Sequence, residues 1–161
     1  MSGILAHRSA RDGGPAMLGS PQWFGRLAAV LSEEVASQSD VMRGADFCFQ
    51  EVLTGVPPDR QAVAWHVKFS SGQIVALGYG SPIGDADVQQ TLAWTDALPL
   101  AMAMKTDPRF DDLAGRLVER GRITISGDLS LKLARSQVFD RVHDRLAPLT
   151  TANVTRAPTG H

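Results

Sequence analysis

The sequence predicts an α+β fold, one five-stranded sheet covered on one face by helices, on three observations. Apolar residues alternate in steps of two from Asp46 to Tyr79, and the pattern returns in two later stretches. Apolar residues at helical spacing bracket that region on both sides. A length of 161 residues allows one core and leaves little for a second.

The elements follow in order. Residues 1–20 carry five Gly or Pro and no sustained period, so they read as a tail, as do residues 150–161, and the domain is placed at 21–149. Ser20-Pro21 is a helix start signal, and Trp23, Phe24, Leu27, Val30, Leu31 and Val35 form the apolar stripe behind it, with Glu33 and Glu34 turned away. From Asp46 the period changes to two. Gly55-Val56-Pro57-Pro58-Asp59 closes that first strand as a turn. Val63 to Phe69, then Ser70-Ser71-Gly72, then Gln73 to Tyr79 read as a hairpin. Val88 to Trp94 is a fourth strand, and Asp96 with Ala97 to Met104 begins a short apolar helix that Asp107-Pro108 interrupts. Phe110, Leu113, Ala114, Leu117 and Val118 form a further helix stopped at Gly121. Arg122 to Ser126 is the fifth strand, and Asp128 caps one long closing helix with Leu131, Ala134, Val138, Val142 and Leu146 along its stripe.

Composition excludes several classes. Sixteen Lys and Arg against seventeen Asp and Glu give a net charge of -1, without the basic excess of a nucleic-acid binder. The single Cys48 excludes an internal disulfide framework and a multi-thiolate zinc site. The longest apolar run, Ala97 to Met104, contains Pro99 and falls far short of the roughly 20 residues that span a bilayer. No transmembrane segment is expected, and with no signal-peptide pattern at the start the protein is expected to be cytoplasmic.

Catalytic patterns are sparse. His7, His66, His143 and His161 show no ligand spacing, so no metal is expected, and no cofactor motif is present. His66 and Glu51 stand on adjacent predicted strands and form the one acid-base alternative, because a carboxylate orients and charges an imidazole. A solvated strand histidine is the plainer reading. Asp140, His143 and Asp144 alternate with Arg141 and Arg145 as on a solvated helix face. Cys48 lacks a nucleophile signature, and Gly78-Tyr79-Gly80 with Gly84 reads as a turn, since no helix follows to hold a phosphate.

Gly121-Arg122-Ile123-Thr124-Ile125-Ser126-Gly127-Asp128 followed by Leu129-Ser130-Leu131-Lys132-Leu133 resembles the end of a sterol carrier protein 2 domain. Ala86-Asp87-Val88 with Thr91, Leu92 and Trp94, then Asp96 and an apolar helix to Asp107-Pro108, follow that family's order, so the resemblance spans about residues 46 to 146. The first helix fits too. The chain departs from the family in a longer interval between Asp107-Pro108 and Gly121, and it ends Thr159-Gly160-His161 where a peroxisomal address would read Ser-Lys-Leu. Only three of its sixteen basic residues are Lys, a skew common in GC-rich bacteria, and a stand-alone bacterial member is implied.

What the resemblance implies is an apolar tunnel between sheet and helices that binds or transfers a sterol, fatty acid, acyl-CoA or similar lipid without chemistry. Its implied lining is Phe47, Phe49, Trp65, Val67, Leu92, Trp94, Met102, Met104, Ile123, Ile125, Leu133 and Phe139, with Arg122, Lys132 and Arg135 as headgroup cations. Two alternatives stand beside it. One is an enzyme or accessory module acting on a lipid, polyketide or steroid intermediate, with His66 and Glu51 as its foothold. The other is a protein-interaction module, or a homodimer, using the uncovered sheet face.

Overall fold

A computed structural model of the chain describes residues 14–153. The sheet contains β2 (Phe47–Val56), β3 (Gln61–Ser70), β4 (Gln73–Gly80), β5 (Val88–Ala93) and β6 (Thr124–Gly127), in the spatial order β4-β3-β2-β5-β6. The β2-β3-β4 meander is antiparallel, β5 runs parallel to β2, and β6 is antiparallel to β5. A short outlying pair, β1 (Ala16–Met17) with β7 (Thr150–Thr151), is parallel.

Period-two alternation sorts the strands. Phe47, Phe49, Leu53, Trp65, Val67 and Phe69 point toward the helices and belong to the main core. Above them lies α1 (Pro21–Ser37), started by Ser20, whose Oγ accepts from the Trp23 amide at 3.1 Å, with Pro21 at the first helical position. Its neighbour is α6 (Ser136–Leu146), which buries Val138, Phe139, Val142 and Leu146. A one-turn α2 (Ser39–Met42) leads from α1 into the sheet. On the far side of the layer are α3 (Trp94–Met102) and α4 (Pro108–Glu119), separated at Asp107-Pro108 as the sequence predicts.

Four expectations are corrected. Glu34 is not turned to solvent: four residues beyond Val30 and three beyond Leu31, it shares the buried stripe, and only 4% of it is exposed. The closing helix is not continuous. A one-turn α5 (Ser130–Leu133) precedes α6, because the Arg135 amide closes a tight bond to the Lys132 carbonyl at 2.9 Å and turns the chain between them. Third, the described parts of the expected tails are packed. Ala16, Met17 and Leu18 are buried, the Leu18 amide bonds to the Thr151 carbonyl at 3.1 Å, and Trp94 Nε1 and the Tyr79 hydroxyl donate to the Leu18 and Gly19 carbonyls at 2.8 and 2.7 Å. The rest of both tails lies outside the described residues.

The fourth correction concerns the sheet face away from the helices, which is covered around Gln50 by the β4-β5 crossover. Gln50 is fully buried there. Its amide donates to the Ile83 carbonyl at 3.0 Å and to Gln89 at 2.8 Å, and accepts from the Ile83 amide at 2.7 Å. Asp87 joins the same strap, its carboxylate accepting from the Cys48 amide at 2.7 Å. Gly127, the last residue of β6, where the Gly-Asp turn begins, has φ +84°, and any side chain there would overlap the Asp87 carbonyl.

Candidate functional site

Between the sheet and the helices lies a cavity of about 280 Å³. Phe49, Trp65 and Leu92 form its floor on β2, β3 and β5. The inward stripe of α1 supplies Trp23, Leu27 and Leu31, and α6 supplies Phe139, Val142, His143 and Leu146. Ala97, Leu100 and Ala101 of α3, Phe110 and Ala114 of α4, and Ile123 before β6 complete the wall. Small residues make the space. Where helices α3 and α4 approach the floor they present alanines, so the layer is held apart without being filled.

Helix α4 has no buried residue, and the residues it turns inward, Phe110, Leu113, Ala114 and Leu117, are only partly covered. It is therefore a thin wall. Three bonds from α6 pin the turn from which it departs: His143 Nε2-H donates to the Ala103 carbonyl at 2.8 Å, while Asp144 accepts from the Lys105 amide at 2.7 Å and Asp140 from Lys105 Nζ at 2.6 Å. Burial pushes the His143 imidazole below its ordinary value, so it sits there neutral, with the Phe110 ring edge-on at 5.0 Å.

Polar groups in the cavity are few. Glu51 accepts from Trp65 Nε1 at 3.1 Å and from Gln90 Nε2 at 3.2 Å, an arrangement that the register aligns by placing Trp65 and Gln90 beside Glu51 on the same face. Opposite the floor, Lys132 of α5 lays its ammonium over the Phe49 ring at 4.7 Å and the Phe139 ring at 5.2 Å from the centroids. Among the described residues that ammonium has no hydrogen bond or ion pair. Burial pushes its amine below the ordinary lysine value and nearby Lys105 adds to that, while Glu51 and Asp140 act in the other direction.

Five of the twelve expected lining residues are in the wall: Phe49, Trp65, Leu92, Ile123 and Phe139. Phe47 and Val67 are core, Phe47 packing on the Phe69 ring at 5.2 Å. Trp94 is buried and tied to Leu18. Met102, Met104, Ile125 and Leu133 lie on the surface, 40 to 59% exposed. Of the three expected cations only Lys132 faces the cavity. Arg122 pairs with Asp96 at 2.8 Å, and Arg135 donates to the Arg43 carbonyl at 3.2 Å.

The His66 and Glu51 alternative is corrected by register. Trp65 stands opposite Glu51, while His66 stands opposite Gln50, so the two side chains leave opposite faces of the sheet. The His66 ring instead covers Gly78 of β4, where a Cβ would overlap it. Sequence reasoning missed the α1 wall, Ala97, Leu100, Phe110, Gln90, Lys105 and His143. A signal existed for the helix residues, because the stripe that makes core also faces any gap in that core. None existed for Gln90 or His143, whose orientation depends on strand register and on the helix break. Among the described residues no three His, Cys, Asp or Glu cluster as metal ligands, and no helix is long and apolar enough to cross a membrane.

No family model matches the sequence, and no curated protein matches it. Solved structures do match in fold. A conserved hypothetical protein of Thermus thermophilus, described as a candidate sterol carrier protein, superposes with a TM-score of 0.54 at 12% identity over 88% of this chain and 98% of its own. A crystal structure of sterol carrier protein 2 superposes with a TM-score of 0.50 at 12% identity over 81% of this chain and 97% of its own. The chain thus has the α+β fold of sterol carrier protein 2, five strands and a helical layer included.

Proposed function

We propose that this protein binds a hydrophobic small molecule, a lipid or lipid-like metabolite, in the cavity between sheet and helices, and that it carries the molecule without converting it. The supporting observation is the cavity itself: about 280 Å³, walled by Trp, Phe, Leu and Ala, with Glu51, Gln90, Lys105, Lys132 and His143 as its few polar side chains. Apolar walls with a few convergent polar groups are what a pocket for an amphipathic ligand requires. The likeness in fold to sterol carrier protein 2 supports the same reading. Membership of that family, a bacterial source and a cytoplasmic location go with this proposal.

The magnitude fits a carrier. Burying about 300 Å² of apolar ligand surface at about 25 cal/mol per Å² gains about 7.5 kcal/mol before the costs of association, which sets binding at about micromolar or weaker. A ligand held at that strength is released on dilution. The ligand's polar end lies toward Lys132 and Glu51, and its chain lies along Leu27, Leu31, Leu92 and Leu100.

The test is native mass spectrometry of the purified protein mixed with a medium-chain alcohol, aldehyde or acid, beside an Ala97→Phe variant that fills the cavity from α3. A one-to-one complex is expected with the parent and not with the variant. Equal binding by both, or none by the parent, contradicts the proposal.

A further inference from the structure

Lys132 differs from the other two lysines of the chain in a way that binding alone does not use. Lys68 is exposed on the far face of β3, and Lys105 is neutralised by Asp140 at 2.6 Å. Lys132 alone stands in an apolar cavity with no anion in contact among the described residues, its terminal nitrogen against the faces of Phe49 and Phe139. Desolvation in an apolar pocket turns a lysine from a solvated ammonium into a nucleophilic amine.

We infer that the Lys132 amine captures an aldehyde or ketone group on an apolar ligand as a reversible imine inside the cavity. This rests on the proposed binding of apolar molecules there and names their reactive class. The lone pair of the Lys132 nitrogen adds to the carbonyl carbon, and the carbonyl π electrons move to oxygen. The resulting carbinolamine loses its oxygen as water, with two protons that begin on nitrogen, and a C=N bond remains. No oxidant or reductant is consumed. Glu51 is the carboxylate that lines the same cavity, its two oxygens held by Trp65 and Gln90, and the two protons pass from nitrogen to the departing oxygen. Among the described residues the other titratable groups lining this space are Lys105 and His143. Lys105 and Asp140 are bonded to each other, and His143 is neutral and bonded to Ala103. Dry walls favour the imine, because water is the product that reverses its formation.

The experiment uses decanal with sodium cyanoborohydride, which reduces an imine to a stable amine, at neutral pH. Intact mass and peptide mapping then locate the added decyl group. Apart from the α-amino group, which reacts in any chain and is counted separately in the peptide map, one group is expected, on Lys132, formed about tenfold faster than on Lys68. Lys132→Met should lose it with the fold intact by circular dichroism. Ala97→Phe, which keeps the lysine and fills the cavity, should slow labelling of Lys132 to the rate at Lys68. Equal labelling of all three lysines overturns the inference. So does no label at Lys132 while decanol still displaces a fluorescent apolar probe, and in that case the binding proposal stands. If decanol displaces nothing, the binding proposal falls and the inference with it.

Discussion

Glu34 sits between α1 and α6 and joins them. Burial pushes its carboxyl up, but bonds from Gln38, Arg141 and Arg145, at 2.9, 3.1 and 3.1 Å, outweigh that and hold it below the ordinary carboxylate value. A carboxyl held low stabilises the fold fully above its unfolded value, and that contribution is lost as pH falls through the folded value. Glu34→Gln should therefore cost about 1 to 2 kcal/mol at neutral pH, the lower part of the range for charged hydrogen bonds because Arg141 is largely exposed. Urea denaturation of both proteins measures it. The gap should narrow in acid, and a gap that is unchanged or wider there contradicts the assignment. Sequence reading placed Glu34 outside because glutamates usually are. Its spacing from Val30 and Leu31 pointed the other way, but identity was weighed above position.

Element by element, the strands and their succession along the chain were legible because alternation is local: each run from Phe47 to Val67 carries its own period. Helix α1 was legible through its cap and stripe. Less legible was the end of the chain's helical part, where Leu131, Val138 and Val142 keep a helical stripe across a break that a backbone turn at Ala134 and Arg135 imposes. That break aims Lys132 into the cavity. The β1-β7 pair was illegible for a different reason, since two-residue strands far apart in sequence have no period to show. Helix α4 differs from α1 in what holds it, partly covered side chains against fully buried ones. Leu31→Ala should cost about 3 to 5 kcal/mol, as buried leucines do, and Leu117→Ala less than about 1.5. Native-state hydrogen exchange should accordingly show α4 amides opening locally and α1 amides exchanging only on global unfolding. Equal protection of the two helices would exclude α4 as the weak wall of the cavity.

For the whole molecule, a single layer of helices covers a twisted sheet and stops short of filling one end. The near-zero charge agrees with an apolar ligand, which needs no electrostatic steering. The sequence located this end of the fold through the Gly-Asp turn and the residues after it, and five of its expected lining residues are in the wall. Whether an apolar side chain faces core or cavity depends on what stands opposite, as Phe47 and Phe49, two residues apart on one face, demonstrate. No period separates those cases. The most direct measurement is a methyl NMR titration with a medium-chain lipid. Methyl signals of Leu27, Leu92, Ile123 and Val142, from four different walls of the cavity, should shift together with one saturating dependence, while exposed Val75 on β4 stays still. Shifts confined to surface methyls such as those of Met102, Met104 and Leu133, or no shift at all, would contradict ligand binding in the cavity.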